Sequence, residues 1–367
     1  MHIYKHSHFL PDGNGHGGSR RTAQINELLD DADIAYQEAE MEGVTAGFRK
    51  VSCYLKGLFH RGRLGIRLKN DYAIGRYLAL FERFVKARKP DVFIQESTGG
   101  HHLLLSGVLK ENHIPSVALP HNLESLVPGT KSVLSGHVSP GWLAEEVKYL
   151  SYYDHVFTIS REEAWLLSNF GLQATCLPYY PVRQTERFLT SLRYQRGRSG
   201  KKTGPKKEVL LLGTFYNVPT AEGYIELIQQ IGQTGRMIIN VAGYGSEQLE
   251  KVFKSDHIRI WGSIDNEKLG ALIIQCDCAI VHQQPSSGAL TRIIEMLIAG
   301  LPVLANIHAA RSHFDYRGEL MIYQSYSQLF ELLEKDMPVP AMPERPAEEF
   351  FFVEYVRSLM QRRKTVI

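Results

Sequence analysis

The chain has 367 residues, of which 44% are hydrophobic and 22% are charged, and its formal net charge at pH 7 is +3. This length accommodates two domains with full cores, and so small a charge does not indicate a nucleic-acid partner. No apolar run approaches a membrane span, the N-terminus lacks a signal-peptide core, and the four cysteines form neither a disulfide framework nor a zinc motif, so we expect a cytoplasmic protein.

The N-terminus is predicted to form a strand over residues 1–9, a glycine-rich loop over 11–20 and a helix over 22–29. Glycines between a first strand and a first helix let the backbone approach a ligand closely. Gly17, Gly18 and Arg20 are therefore candidate ligand contacts. The glycines do not have the GxGxxG spacing, so a solvated turn is the open alternative.

Residues 43–70 form a basic stretch that contains no acidic residue. Apolar and aromatic side chains alternate with its seven cations, which are Arg49, Lys50, Lys56, Arg61, Arg63, Arg67 and Lys69. Such a stretch can lie on an anionic membrane surface, where each cation contributes about 1 kcal/mol. The alternative is a solvated basic face over an ordinary core helix.

Polar side chains follow two predicted strands, 91–96 and 114–119, at the point where each strand ends. The alternation of strands and helices predicts a parallel, doubly wound α/β sheet, in which such ends lie along one edge and collect ligands. Glu96, His121 and Asn122 are the candidate site residues there. Alternatively, Asn122 caps a helix and His121 is incidental.

The composition also predicts the domain boundaries. Residues 1–182 form the first domain, and the basic, weakly apolar segment 183–207 is predicted to be a linker. The strand and helix alternation restarts over a second domain at 208–335, and a final extension at 336–367 carries a helix over 348–362.

The second domain contains two groups of candidate binding residues. Its strands at 209–215, 237–242 and 258–261 end at Gly213, at Gly243 with Tyr244, and at Gly262. The segment 278–306 is predicted to be strand, polar loop, helix and strand. Backbone N–H groups without helical partners are expected where that helix begins, an arrangement that binds anions; this loop comprises Ser286, Ser287, Gly288, Ala289, Leu290 and Thr291. Further along the helix, Glu295 lies among apolar residues and needs a hydrogen-bonding partner.

The pattern from Gly288 through Glu295 to Val303 resembles the donor-sugar signature of GT-B glycosyltransferases, particularly the family 4 group. The resemblance covers nearly all of 209–310 and, more loosely, 1–182. It implies two Rossmann-like domains that face each other across a cleft, with Glu295 on the ribose of a nucleotide-sugar and the 286–291 loop on its phosphates. It also places His121 beside the donor sugar, residues 11–20, Glu96 and Asn122 on the acceptor side, and the terminal helix against the first domain.

Two departures from that pattern affect the expected site. Ser287 replaces a Glu that the family often carries near the sugar hydroxyls. Tyr216, Asn217 and Thr220 stand where many members have an Arg and a Lys for the diphosphate, so Arg292 and loop N–H groups are the expected phosphate contacts.

The resemblance implies transfer of a sugar from a nucleotide-diphosphate sugar to a bacterial glycan or a lipid-linked acceptor, in polysaccharide biosynthesis. Transfer is expected to proceed with retention, without a metal or another cofactor, and with possible contact to the inner face of the membrane. An inverting enzyme would need a general base, for which His16 or His121 is the candidate. A GT-B-fold epimerase and a non-catalytic scaffold of a glycan-assembly complex are the alternatives.

Overall fold

A computed structural model describes residues 1–13, 15–41, 50–61, 68–198, 206–313 and 319–366. The chain forms two compact units, each built on a six-stranded sheet. The first unit comprises Met1–Leu10, Ile25–Pro178 and Pro346–Ile367, and the second comprises Pro11–Gln24 and Tyr179–Arg345. The predicted α/β class, with two parallel sheets, is therefore confirmed.

The sheet of the first unit has the strand order β2-β1-β3-β4-β5-β6, and every pairing is parallel. Its strands are β1 (Ile3–His6), β2 (Gln37–Glu38), β3 (Val92–Gln95), β4 (Ser116–Ala118), β5 (His155–Thr158) and β6 (Ala174–Cys176). The helices that accompany them are α1 (Gly17–Asp31), α2 (Lys50–Arg61), α3 (Leu68–Arg88), α4 (Leu104–Glu111), α5 (Gly141–Leu150) and α6 (Arg161–Asn169). Only residues 25–31 of α1 belong to the first unit, and its residues 17–24 belong to the second. Strand order reverses between β1 and β3, which is where sheets of this type bind ligands.

The sheet of the second unit has the order β12-β11-β10-β7-β8-β9 and is also parallel throughout. Its strands are β7 (Lys207–Leu212), β8 (Met237–Ala242), β9 (Ile258–Ile260), β10 (Cys278–Val281), β11 (Val303–Asn306) and β12 (Leu320–Tyr323). Its helices are α7 (Arg183–Arg198), α8 (Val218–Ile231), α9 (Asn266–Gln275), α10 (Thr291–Ile298), α11 (Ile307–Ala310) and α12 (Tyr326–Glu334). The order here reverses between β7 and β10.

The segment predicted to be a linker, 183–207, is helical over most of its length, as α7. Thr185, Leu189 and Leu192 are buried on one side of this helix, although its composition is basic. Arg193 donates to the carbonyl oxygens of Ile298 (2.8 Å) and Leu297 (2.6 Å), which lie at the end of α10. The helix is thus a packed part of the second unit, and residues 199–205 lie outside the described residues.

The last helix, α13 (Glu348–Val366), belongs to the first unit. Phe352, Val356 and Leu359 are buried with Ile25 and Val92 in its core. Of the basic stretch 43–70, residues 43–49 and 62–67 lie outside the described residues, and α2 occupies the whole part between them. None of the helices in the described part of the chain is both long and apolar enough to cross a membrane.

Candidate functional site

Backbone hydrogen bonds at three predicted glycines, Gly213, Gly243 and Gly262, connect the carboxyl ends of β7, β8 and β9. The N–H of Gly213 donates to Ala242 O (3.1 Å), and the N–H of Gly243 donates to Gly262 O (2.8 Å). A methyl group on Gly243 would lie 1.9 Å from Gly213 O, and its φ of 121° is one that side chains rarely adopt. Only glycine fits there, so this edge of the sheet is bare backbone beside the half-exposed ring of Tyr244.

Helix α10 begins directly after the polar loop, with Thr291 as its first residue. Its N-cap, Leu290, provides no side-chain acceptor, and its first turn carries no acidic residue. Gly288, at φ 74°, is held through its carbonyl oxygen by Arg311 (2.7 Å) and Ser312 (3.1 Å). The predicted loop, Ser286 to Thr291, therefore sits at a helix N-terminus, where the first N–H groups of a helix generally lack an intrahelical acceptor. The N–H of Ile293 already donates to Leu290 O at 3.1 Å. Sequence reasoning missed Arg311 and Ser312, which no local motif marks.

Arg292 lies beside this N-terminus and close to Gly213. Its Nη2 is 3.5 Å from Thr220 Oγ1 and 3.4 Å from Gln283 Oε1, and its guanidinium lies 5.7 Å from the centre of the Tyr224 ring. Both hydrogen bonds are long, and its buried Nε has no hydrogen-bond partner among the described residues. The guanidinium therefore retains donor capacity for an anion.

Glu295 has two partners inside the second unit, and only 3% of it is exposed. Tyr179 donates its hydroxyl to Oε1 at 2.8 Å, and Arg20 forms an ion pair with Oε2. Burial, followed by the Glu295 carboxylate, raises the pKa of Tyr179 well above its usual value. Burial alone would lower the pKa of Arg20, but Glu295 reverses that and raises it. The buried carboxylate of Glu295 thus has the hydrogen-bonding partners that the sequence predicted it to need. Tyr179 was not among the residues predicted for this site.

Helix α1 begins at Gly17, within the glycine-rich segment and earlier than the sequence predicted. Gly17 and Gly18 lie in the first turn of this helix, and the N–H of Gly18 donates to His16 Nδ1 at 3.2 Å. A methyl group on Gly17 would lie 3.6 Å from Thr291 Oγ1, so the N-termini of α1 and α10 adjoin. Gly17, Gly18 and Arg20 are therefore grouped with the predicted donor residues, whereas Glu96, His121 and Asn122 belong to the first unit.

The first unit has a buried charge cluster where β1 and β3 end. Lys5 Nζ donates to Glu96 Oε1 at 2.8 Å, and both side chains are fully buried. His121 Nε2 lies 3.7 Å from Glu96 Oε2. Burial alone would raise the pKa of Glu96, but His121 and Lys5 lower it to about 2. An ionised carboxylate is therefore placed next to the His121 ring.

Two further carboxylates hold the segment that follows His121. Glu146, which is fully buried, accepts from the N–H groups of Glu124 (2.9 Å) and Ser125 (3.0 Å). Glu163 accepts from the N–H of Leu123 at 3.1 Å. These bonds fix the backbone directly after His121 and Asn122, and neither acid was predicted, because nothing in the sequence near them marks the contact.

The histidines at this edge pack against aromatic rings. His6 stacks on His102 with the ring centres 4.7 Å apart, and burial together with His102 lowers the pKa of His6 to about 3. His101 stacks on Tyr77 at 4.7 Å. In the described part of the chain, no group of three or more His, Cys, Asp or Glu side chains is placed to hold a metal ion.

Two parallel six-stranded α/β units of this kind define the architecture of the GT-B glycosyltransferases. Solved structures with that fold match the whole chain. Sucrose-phosphate synthase from Thermosynechococcus elongatus has a TM-score of 0.61 and 14% identity, with 100% of each chain covered. The UDP-forming α,α-trehalose-phosphate synthase from Burkholderia vietnamiensis has a TM-score of 0.59 and 14% identity, with 100% of this chain and 96% of that chain covered.

A third similar structure is the UDP-GlcNAc 2-epimerase from Methanocaldococcus jannaschii, with a TM-score of 0.53 and 12% identity over 97% of this chain and 100% of that chain. No protein-family model and no curated protein matches the sequence. At these identities the comparisons establish the GT-B fold, and membership of family 4 stays a prediction.

Proposed function

We propose that this protein is a glycosyltransferase that moves a sugar from a nucleotide-diphosphate sugar to an acceptor. The observation that carries the proposal is that the N-termini of α1 and α10 adjoin at Gly17 and Thr291, and that Arg292 follows Thr291 in the first turn of α10. A helix N-terminus carries partial positive charge and free N–H donors, which suit phosphate groups. Two of them next to an arginine suit a diphosphate.

In the proposed reaction the acceptor hydroxyl oxygen bonds to the anomeric carbon as the bond between that carbon and the diphosphate breaks. Negative charge gathers on the departing diphosphate, which takes up the proton of the hydroxyl. Fixed backbone dipoles and Arg292 stabilise that charge without reorganising, which is an effective form of electrostatic catalysis. Glu295 lies on the same helix and would bind the ribose hydroxyls. The family resemblance favours retention at the anomeric carbon, for which no dedicated protein base is required.

The proposed nucleotide is a uridine diphosphate, because two of the three similar structures described above have UDP in their names. We place the acceptor on the first unit, at the edge formed by Glu96, His121 and Asn122. Our candidates for it are a glycan or a lipid-linked sugar of bacterial polysaccharide biosynthesis. The basic stretch 43–70 supports a cytoplasmic location with peripheral contact to an anionic membrane.

If transfer instead inverts the anomeric carbon, His121 is the better candidate for the general base. His16 Nδ1 already accepts from the first turn of α1, at Gly18. His121 lies 3.7 Å from the ionised Glu96, which would stabilise the imidazolium formed when the ring takes a proton.

Two other functions each have an observation in their favour. A GT-B-fold epimerase is supported by the likeness to the UDP-GlcNAc 2-epimerase. A non-catalytic scaffold is supported by Glu295, because Tyr179 and Arg20 already occupy both of its oxygens.

A panel of nucleotides and nucleotide sugars, screened by thermal shift, tests the proposal first. The ligand that stabilises the protein is then incubated with it, with and without sugar, sugar-phosphate and lipid-linked acceptors. Glycosylated acceptor is the expected product. An epimerised donor would indicate the epimerase, binding without any product would indicate the scaffold, and no binding to any member of the panel would refute the proposal.

A further inference from the structure

The guanidinium of Arg292 is held by uncharged side chains. Its Nη2 lies 3.4 Å from Gln283 Oε1 and 3.5 Å from Thr220 Oγ1. Glu295, the only acid of α10, forms its ion pair with Arg20 instead. In the part of the chain that the structure describes, no carboxylate therefore balances the charge of Arg292.

Gln283 is fixed between two neighbouring strands of the second unit. It lies just after β10, and only 4% of it is exposed. Its N–H donates to Asn306 Oδ1 at 3.2 Å, and its carbonyl oxygen accepts from Asn306 Nδ2 at 2.9 Å. Asn306 is the last residue of β11, so both strand ends hold the backbone of Gln283 in place. This limits where the Gln283 side chain can lie and makes Oε1 a fixed acceptor for Arg292.

Helix α8 supplies the other two groups around the guanidinium. Thr220 is 2% exposed, and its Oγ1 lies 3.5 Å from Gln283 Oε1. A hydroxyl has one proton and two lone pairs, so Thr220 can donate to Gln283 and still accept from Arg292. Tyr224 is fully buried and donates its hydroxyl to Leu212 O at 3.0 Å, which fixes its ring 5.7 Å from the guanidinium. All these contacts orient Arg292 without neutralising it.

We propose that Gln283 and Thr220 are positioning residues, which orient Arg292 for the diphosphate while leaving its positive charge uncompensated. A carboxylate in the place of Gln283 would hold the guanidinium more firmly, but that ion pair would compete with the diphosphate for the same donors. The inference rests on the proposed function, because it assigns the residues that prepare Arg292 for the leaving group.

Calorimetry with UDP and, separately, with inorganic pyrophosphate tests the inference. Gln283→Glu adds a charge in nearly the same shape, and it should weaken the binding of both ligands by about tenfold or more, because Arg292 would pair with the new carboxylate. Gln283→Met and Thr220→Val each remove one uncharged contact. They should weaken binding by only about two- to fivefold, since these hydrogen bonds are long. Equal losses in Gln283→Glu and Gln283→Met would overturn the role of the uncompensated charge.

A double-mutant cycle with Arg292→Ala shows whether the two residues act through the arginine, which a general structural role would not require. In the Arg292→Ala protein, adding Gln283→Met or Thr220→Val should weaken UDP binding no further. Losses as large as those in the wild-type protein would overturn the positioning role. Unfolding curves identify a variant that does not fold, and either position alone is sufficient for the cycle.

Gln284→Met is the matched control, since Gln284 is the next residue of the same loop and donates to Glu226 at 2.5 Å. It should bind both ligands like the wild type. Wild-type protein that transfers sugar, with Gln283 and Thr220 variants that bind UDP normally, would overturn this inference alone. The expected losses in a protein that transfers no sugar would refute the proposed function and leave the positioning role standing. Wild-type protein that binds neither ligand would overturn both.

Discussion

The Glu295→Gln substitution tests the proposed ribose contact most directly, because it removes a charge and leaves the side-chain shape nearly unchanged. Hydrogen bonds to charged groups contribute about 1.5–3 kcal/mol, so nucleotide affinity should fall by about 10- to 140-fold. Tyr179 and Arg20 already bond to this carboxylate in the unliganded protein. Each carboxylate oxygen could still accept a second hydrogen bond, but Glu295 is only 3% exposed, so ribose hydroxyls reach it only where Tyr179 or Arg20 moves aside. We therefore expect a loss near the lower end of the range.

The same substitution should also lower stability, which has to be measured separately. Glu295 is 3% exposed and the Arg20 side chain is 16% exposed, so the pair is largely buried. Breaking a buried ion pair by neutralising one partner costs about 3–5 kcal/mol, and the remaining exposure of Arg20 favours the lower value. Urea unfolding of the free protein measures this loss.

Tyr179→Phe is the matched control, because it removes one hydrogen bond to the carboxylate and keeps the charge pair. It should change nucleotide affinity much less than Glu295→Gln does. Calorimetry that finds wild-type affinity in Glu295→Gln would refute the ribose contact. If stability nevertheless fell, Glu295 would be a structural link that holds the glycine-rich segment to α10.

Two more substitutions concern α10. Arg292→Ala should lower kcat by about a hundredfold, as the loss of an oxyanion donor does, while nucleoside binding changes little. Arg292→Lys should recover only part of the lost kcat. Full activity of the alanine variant in steady-state assays would transfer the phosphate role to Arg20 or to Arg21, the next residue of α1. Arg193→Ala should lower the free energy of unfolding by about 1.5–3 kcal/mol, because the carbonyls at the end of α10 lose a charged donor. The urea midpoint should fall accordingly. Arg198→Ala changes an exposed residue of the same helix, α7, and should leave the midpoint unchanged.

The sequence was most informative where a local pattern is compatible with only one local structure. Gly213, Gly243 and Gly262 follow apolar runs, and the structure uses all three at strand ends. Gly300 follows the apolar residues of α10, and its φ of 71° is the left-handed geometry typical of a glycine at a helix end. These features depend on neighbours along the chain, so a single sequence suffices to find them.

Contacts between distant segments were not predictable in this way. Tyr179 and Glu295 are 116 residues apart, and Arg20 and Glu295 are 275 apart. The sequence indicated that Glu295 needed a partner, since a lone buried carboxylate is costly, but many tyrosines and arginines satisfied that demand equally well. Only the three-dimensional fold determines which of these side chains lies next to Glu295.

Composition alone misled the prediction for residues 183–207. The many cations there suggested a solvated linker, yet arginine and glutamine are good helix formers, and Leu189 and Leu192 supply a narrow apolar side. The cations bond to carbonyl oxygens at helix ends, as Arg193 and Arg196 do. A basic segment can therefore be packed when its partners are backbone groups, which carry no sequence signal.

The buried Glu146 predicts a dependence of stability on pH that a single substitution isolates. Burial raises its pKa from an ordinary 4.5 to about 7, against the opposing effect of the Ser125 and Glu124 hydrogen bonds. The folded protein thus binds this proton more tightly than the unfolded chain does, so the contribution of Glu146 to stability is greatest below pH 4.5 and is lost as pH rises through 7. The change corresponds to about 3 kcal/mol. We expect the wild-type stability, relative to Glu146→Gln, to fall by about that amount between pH 5 and pH 8 in urea unfolding. A constant difference between the wild type and Glu146→Gln across that range would mean that the carboxylate is ionised throughout, held so by the two N–H groups that also fix the backbone after His121.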